Sequence, residues 1–154
     1  MSFGYNILGF GSGAAGAAPY NVQFLVLAGG ASGGAHAAGG GGAGGYRIIA
    51  SKAHEVIPCT AYPITVGAGG ATPGWPASPT KGNPGGNSVF DTITGAGGGG
   101  GGGGQDVPNQ VGIDGGAGGG GGGYEPNASS GAGGSGNVPD TSPTPTGLQG
   151  YDGG

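Results

Sequence analysis

Large apolar residues are confined to a few short stretches, and glycine fills most of the space between them. Residues 22–28 (VQFLVLA) are β-prone, almost continuously apolar, and stop at Gly29-Gly30. That pattern predicts a strand. Residues 46–50 (YRIIA) predict a second, which 54–57 would extend up to Pro58. Residues 62–66 (YPITV) predict a third, with Pro63 placing it at an edge or a strand start. Residues 88–94 (SVFDTIT) alternate Val89, Asp91 and Ile93 against Phe90, Thr92 and Thr94, which predicts a fourth. Together these form one small antiparallel sheet, and its residues nearly exhaust the apolar supply.

Glycine tracts separate and follow the strands, at 29–45, 67–71, 95–104, 115–123 and 131–136. The longest unbroken run is eight glycines, Gly97 to Gly104. Between the tracts lie segments rich in Pro, Asn, Asp, Ser and Thr, the turn-forming set. Residues 1–21 form a small-residue leader with Phe3, Tyr5, Ile7, Leu8 and Phe10, and read as an N-terminal attachment arm. Residues 22–154 then form one glycine-rich domain.

Composition sharpens this picture. Of 154 residues, 48 are glycine and 12 proline, and the net charge is only −4. Glycine costs about 1 kcal/mol per helical position and proline about 3, so α-helix is excluded. With only Arg47, Lys52 and Lys81 as bases, binding to nucleic-acid phosphates is excluded too. No stretch approaches the roughly 20 apolar residues of a membrane span. Collagen's strict glycine period is absent, and so is the strict three-residue period that an ice-binding face would need. The lone Cys59 allows no internal disulfide framework.

Glycine can nonetheless build an ordered core. In polyproline II geometry the chain has three residues per turn and rises about 3.1 Å per residue. Without Cβ atoms such helices approach closely and can hydrogen-bond laterally. Tracts of eight to ten residues span about 25–31 Å. The predicted fold is therefore mostly β and irregular, a small sheet plus a bundle of polyglycine II helices with no α-helix. Its core is backbone.

Reactive chemistry is sparse. Residues 11–16 (GSGAAG) match G-x-G-x-x-G, but Pro19 and the strand behind it leave no room for the helix a dinucleotide site needs. His36 and His54 are 18 residues apart, and His54, Glu55 and Cys59 lack zinc-ligand spacing. His36 reads as a break in the first tract and Cys59 as a small buried thiol. The sequon at Asn127-Ala128-Ser129 matters only on a eukaryotic secretory route. No catalytic, cofactor or metal site is expected.

The ordered series of motifs is more specific than any one of them. A strand ending in Ala-Gly-Gly (24–30), a long tract, and Gly-Ala-Gly-Gly-Tyr-Arg (42–47) are followed by ITVGAGG (64–70) and the 95–104 run. Over residues 22–123 this series resembles the glycine-rich domain of bacteriophage tail fibre and adhesin proteins. The leader also resembles such proteins, especially cyanophage ones. Two departures stand out: Ala35, His36, Ala37 and Ala38 dilute the first tract, and the chain stops at Tyr151-Asp152-Gly153-Gly154.

The resemblance implies a virion protein, not an enzyme, whose rigid bundle carries specificity in its turns. Partners would be other tail or capsid proteins and a host-surface glycan. Homo-oligomerisation is expected, with a trimer the customary fibre symmetry. Candidate receptor contacts are Trp75, Pro76 and Lys81 in one turn, and Gln105, Asp106, Asn109 and Gln110 in the next. Tyr124, Glu125 and Asn127 follow in a third. Candidate docking residues are Phe3, Tyr5, Ile7, Leu8 and Phe10. The alternative is a purely structural capsid or tail decoration, or a filament-forming subunit.

Overall fold

A computed structural model describes residues 18–74, 80–104, 110–124, 129–139 and 149–154, with backbone alone at 50–53, 124 and 129. Among them are seven strands and no helix: β1 (Tyr20–Leu27), β2 (Tyr46–Val56), β3 (Ile64–Thr65), β4 (Ser88–Phe90), β5 (Ile93–Gly95), β6 (Gly123–Tyr124) and β7 (Ser129–Ser130). All pairings are antiparallel. The mostly β and irregular class follows from the composition, as expected.

The single four-stranded sheet does not form. β1 and β2 make a two-stranded sheet, β3-β4-β5 a three-stranded one, and β6-β7 a separate pair. The 88–94 segment is a hairpin, not one strand. Asp91 takes φ 53° at its turn, a conformation that Asp tolerates better than most residues. Phe90 thereby pairs with Ile93. β1 starts at Tyr20, ahead of Val22, and β2 reaches Val56 after an irregularity opposite Val22–Phe24. The inner faces of the two sheets meet in a small cluster, Val26, Ile49 and Ile93, with Phe24 and Phe90 against it.

The glycine tracts carry the rest of the fold. Residues 95–104 are buried throughout and form its axis. The amides of Gly98, Gly101 and Gly104 donate to the carbonyls of Gly29, Ser32 and Ala35 at 3.0–3.1 Å. Those of Gly99 and Gly102 donate to Ala117 and Gly120 at 2.9 Å. The carbonyls of Ala96, Gly99 and Gly102 accept from Gly45, Gly42 and Gly39 at 2.7–2.8 Å. Gly97 and Gly100 accept from Gly116 and Ile113, and Gly98 and Gly101 from Gly85 and Gly82.

In each series the partner changes by three residues per step. A backbone with three residues per turn presents every third amide to the same neighbour. The bundle is thus made of polyglycine II helices, and lateral backbone hydrogen bonds hold it together. Each such bond stabilises by about 1 kcal/mol net, but a buried one left unmade costs more. The same register recurs off-axis. Ala117, Gly120 and Gly123 donate to Ala43, Gly40 and Ala37, and Gly118 and Gly121 donate to Tyr151 and Gly154. The segment 151–154 is therefore itself a rod of the bundle.

Close approach explains why the axis is unbroken glycine from Gly97 to Gly104, beyond the buried Ala96 at its foot. A methyl built at Gly101 would overlap the backbone carbonyl of Gly39. Alanine is admitted mainly where a rod faces out. Ala43, Ala68, Ala71 and Ala132 are all exposed.

Side chains fasten a few rods. Buried Ser32 donates from Oγ to the Ala71 carbonyl at 2.9 Å and accepts from the Asn83 amide at 2.8 Å. Buried Gln149 accepts from the Ala96 amide at 2.8 Å and donates to the Pro139 carbonyl at 3.2 Å. Arg47, almost fully buried, donates to the Thr94 carbonyl at 3.2 Å and bridges the two larger sheets.

Candidate recognition surface

The hydrogen-bond register gives the bundle two distinct ends. At one end, Ala28 donates to Gly45 and Gly45 to Ala96, where β1, β2 and β5 run into the rods. This end is called the base. At the other, Gly34 donates to Gly39 and closes the turn at 35–38. The amide of Ala35 meets the carbonyl of Thr80 at 2.9 Å, which brings the return of the 72–80 connection alongside. Gly104 donates to Ala35, so the 104–110 connection leaves from the same place. Gly123 donates to Ala37 and Gly122 to Gln110, which places the start of the 124–130 connection there too.

Four connections thus leave and re-enter the bundle at one pole, about 28 Å from the base along a nine-residue rod. β1 enters the bundle from the opposite side, and Tyr20 is at its far end. The leader therefore joins the molecule at the base.

The predicted receptor contacts divide accordingly. Lys81 is half-buried on the rod that starts at this pole, Tyr124 ends β6 there, and Gln110, expected as a contact, is instead fully buried among the rods. Trp75, Pro76, Gln105, Asp106, Asn109, Glu125 and Asn127 lie outside the described residues, as do the docking residues Phe3, Tyr5, Ile7, Leu8 and Phe10. The described residues that flank the three candidate turns do converge. The dilution at 35–38 is explained as well, since it is the turn between two rods at this end, with exposed His36 at φ 69°.

The base holds what sequence reading missed. His54 stands edge-on to Phe24 (5.4 Å between centroids) and Phe90 (5.4 Å), and Tyr62 stacks on Phe90 at 6.2 Å. His54 Nε2 lies 3.3 Å from Asp91 Oδ2, a close polar contact off the hydrogen-bonding direction. The signal was the inward phase of Phe24 and Phe90, but the long irregularity in β2 hid the phase of His54. Beside these rings opens a cleft of about 360 Å³, lined by Tyr20, Phe24, Ile57, Cys59 and Tyr62. Cys59 is exposed, contrary to expectation. It sits at φ 61° in the turn closed by the Thr60 amide on the Ile57 carbonyl, which directs it out of the core. No group of three or more His, Cys, Asp or Glu suited to a metal occurs among the described residues.

The outer sheet face is apolar. Leu25, Leu27, Tyr46 and Ile48 are exposed there, paired Leu25 with Ile48 and Leu27 with Tyr46. Ile64 and Val66 are exposed nearby.

Fold and poles together define a class: a backbone-cored glycine scaffold with four connections grouped at one pole, and with the sheets and the flanks of the 139–149 connection at the other. Residues 10–154 match the family described as Glycine-rich domain. The chain belongs to that family. No curated protein and no solved structure gives a significant match.

Proposed function

We propose that this chain is a virion protein of the phage tail fibre or adhesin type and that its loop pole recognises a host-surface glycan. The observation that carries the reading is the convergence of four connections opposite the end where the leader enters. A projecting recognition domain needs this polarity, with attachment at one end and variable loops at the other. The backbone core supports it, because its register does not depend on loop sequence. Loops on a rigid scaffold are where binding residues concentrate. Trp75 beside Pro76 supplies a ring face for a sugar, and Gln105, Asp106, Asn109 and Asn127 supply hydroxyl partners.

A second reading rests on the exposed apolar face of the β1–β2 sheet. Apolar patches rimmed by polar residues mark contact surfaces. On this reading the chain is a decoration, connector or filament subunit, held to tail or capsid proteins or to further copies of itself by the base. Imaging of its position in the particle separates the two, since a distal site favours recognition. The direct test is adsorption of particles carrying Trp75→Ala together with Asn127→Ala. Recognition at the pole requires a loss of adsorption with incorporation unchanged; undiminished adsorption would overturn it.

A further inference from the structure

An open groove of about 190 Å³ runs between the edge of β1 and the paired strands β3 and β4. Phe24, Leu25 and Leu27 line one wall, and Ile64, Val66 and Val89 the other. Among the described residues, no charged one lines it. Leu25, Leu27, Ile64 and Val66 are each more than half exposed, so the groove is an apolar surface beside the edge of β1 at Leu25–Leu27, which no other strand among the described residues pairs on the side away from β2.

We propose that this groove is the docking site of the chain's own leader, residues 3–10. Three observations point to that occupant. The leader holds apolar residues in strand-like alternation, with Phe3, Tyr5 and Ile7 separated by Gly4 and Asn6, followed by Leu8 and Phe10. It has no charged side chain, which matches the uncharged walls. Its length also fits. Residues 11–19 link Phe10 to the start of β1 and reach about 30 Å when extended. The eight residues of β1 span about 26 Å, so the leader can turn back and lie along the whole strand. Strand addition to an open edge satisfies the edge amides while alternate side chains fill the groove. The same chain is preferred over a second copy because a short link gives an effective concentration of about millimolar. With the groove filled, Tyr46 and Ile48 on the outer face remain for a partner of the base.

Photocrosslinking of the full chain tests this. Benzoylphenylalanine replaces Phe10 in one preparation and Tyr5 in another, and the products are sized and mapped by mass spectrometry. The expected result is linkage within single chains, to residues 24–27 or 64–66, with a yield independent of protein concentration. Val66→Ser, at an exposed position, should lower that yield by about threefold or more. Linkage between two chains would overturn the proposal in favour of a second copy as occupant. Linkage elsewhere, or none from either position, would overturn it outright.

Discussion

Gly42 donates its backbone amide to the carbonyl of Gly99 across 2.8 Å, and neither residue has a side chain to keep the two rods apart. Three residues along each rod, in opposite directions, Gly39 does the same to Gly102. The interior of this protein is therefore ordered by peptide groups. Its tolerance to mutation should follow backbone proximity, not apolar volume.

Gly101→Ala should accordingly be severe. Its methyl meets the Gly39 peptide, which cannot yield without breaking the register. Overpacking of this kind costs about 1–3 kcal/mol or more. Gly40→Ala places its methyl in open space with no positive φ required, and reduced unfolded-state freedom stabilises by about 0.4–1 kcal/mol. Denaturant unfolding of the two variants side by side checks the contrast, and equal midpoints would contradict it.

Much of this was legible in the sequence, for a physical reason. The eight uninterrupted glycines Gly97–Gly104 form a rod enclosed on all sides, while Ala68 and Ala132 sit on rods with an outer face. Strand positions followed from apolar runs. Sheet partition did not, because the Asp91 turn that splits 88–94 depends on a positive φ at a non-glycine residue. The outward turn at Cys59 was hidden for the same reason. Convergence of the connections was also beyond reach, since it depends on whether each rod runs up or down the bundle. Only the pairing register reveals that.

Ser32→Ala removes the hydroxyl that ties the rod at 29–35 to Ala71 and Asn83. The Asn83 amide loses its acceptor, a loss worth about 1–3 kcal/mol where the group is not rescued by water. Thermal unfolding should show a clear drop in Tm, and Ser32→Thr should not restore it fully, because the added methyl enters a buried site.

Gln149→Leu leaves the buried amide of Ala96 without its acceptor at the junction of sheet and rods. The expected cost is again about 1–3 kcal/mol. The loss should appear as faster amide exchange at Ala96 and Gly45 before the pole is affected, measurable by residue-resolved NMR.

If Trp75 is the receptor contact proposed above, Trp75→Ala should leave stability within about 0.5 kcal/mol of the parent, as surface changes do. Glycan binding or host adsorption should fall by about tenfold or more, the usual scale for loss of an aromatic anchor. A drop in stability with binding preserved would instead make Trp75 a structural plug.

Amide hydrogen exchange across residues 97–104 tests the backbone core most directly. If lateral peptide hydrogen bonds hold the bundle, the amides of Gly98, Gly99, Gly101 and Gly102 exchange as slowly as those of Val26 and Ile49 in the sheets. Exchange of these glycines at unprotected rates, with the sheets still protected, would contradict the account.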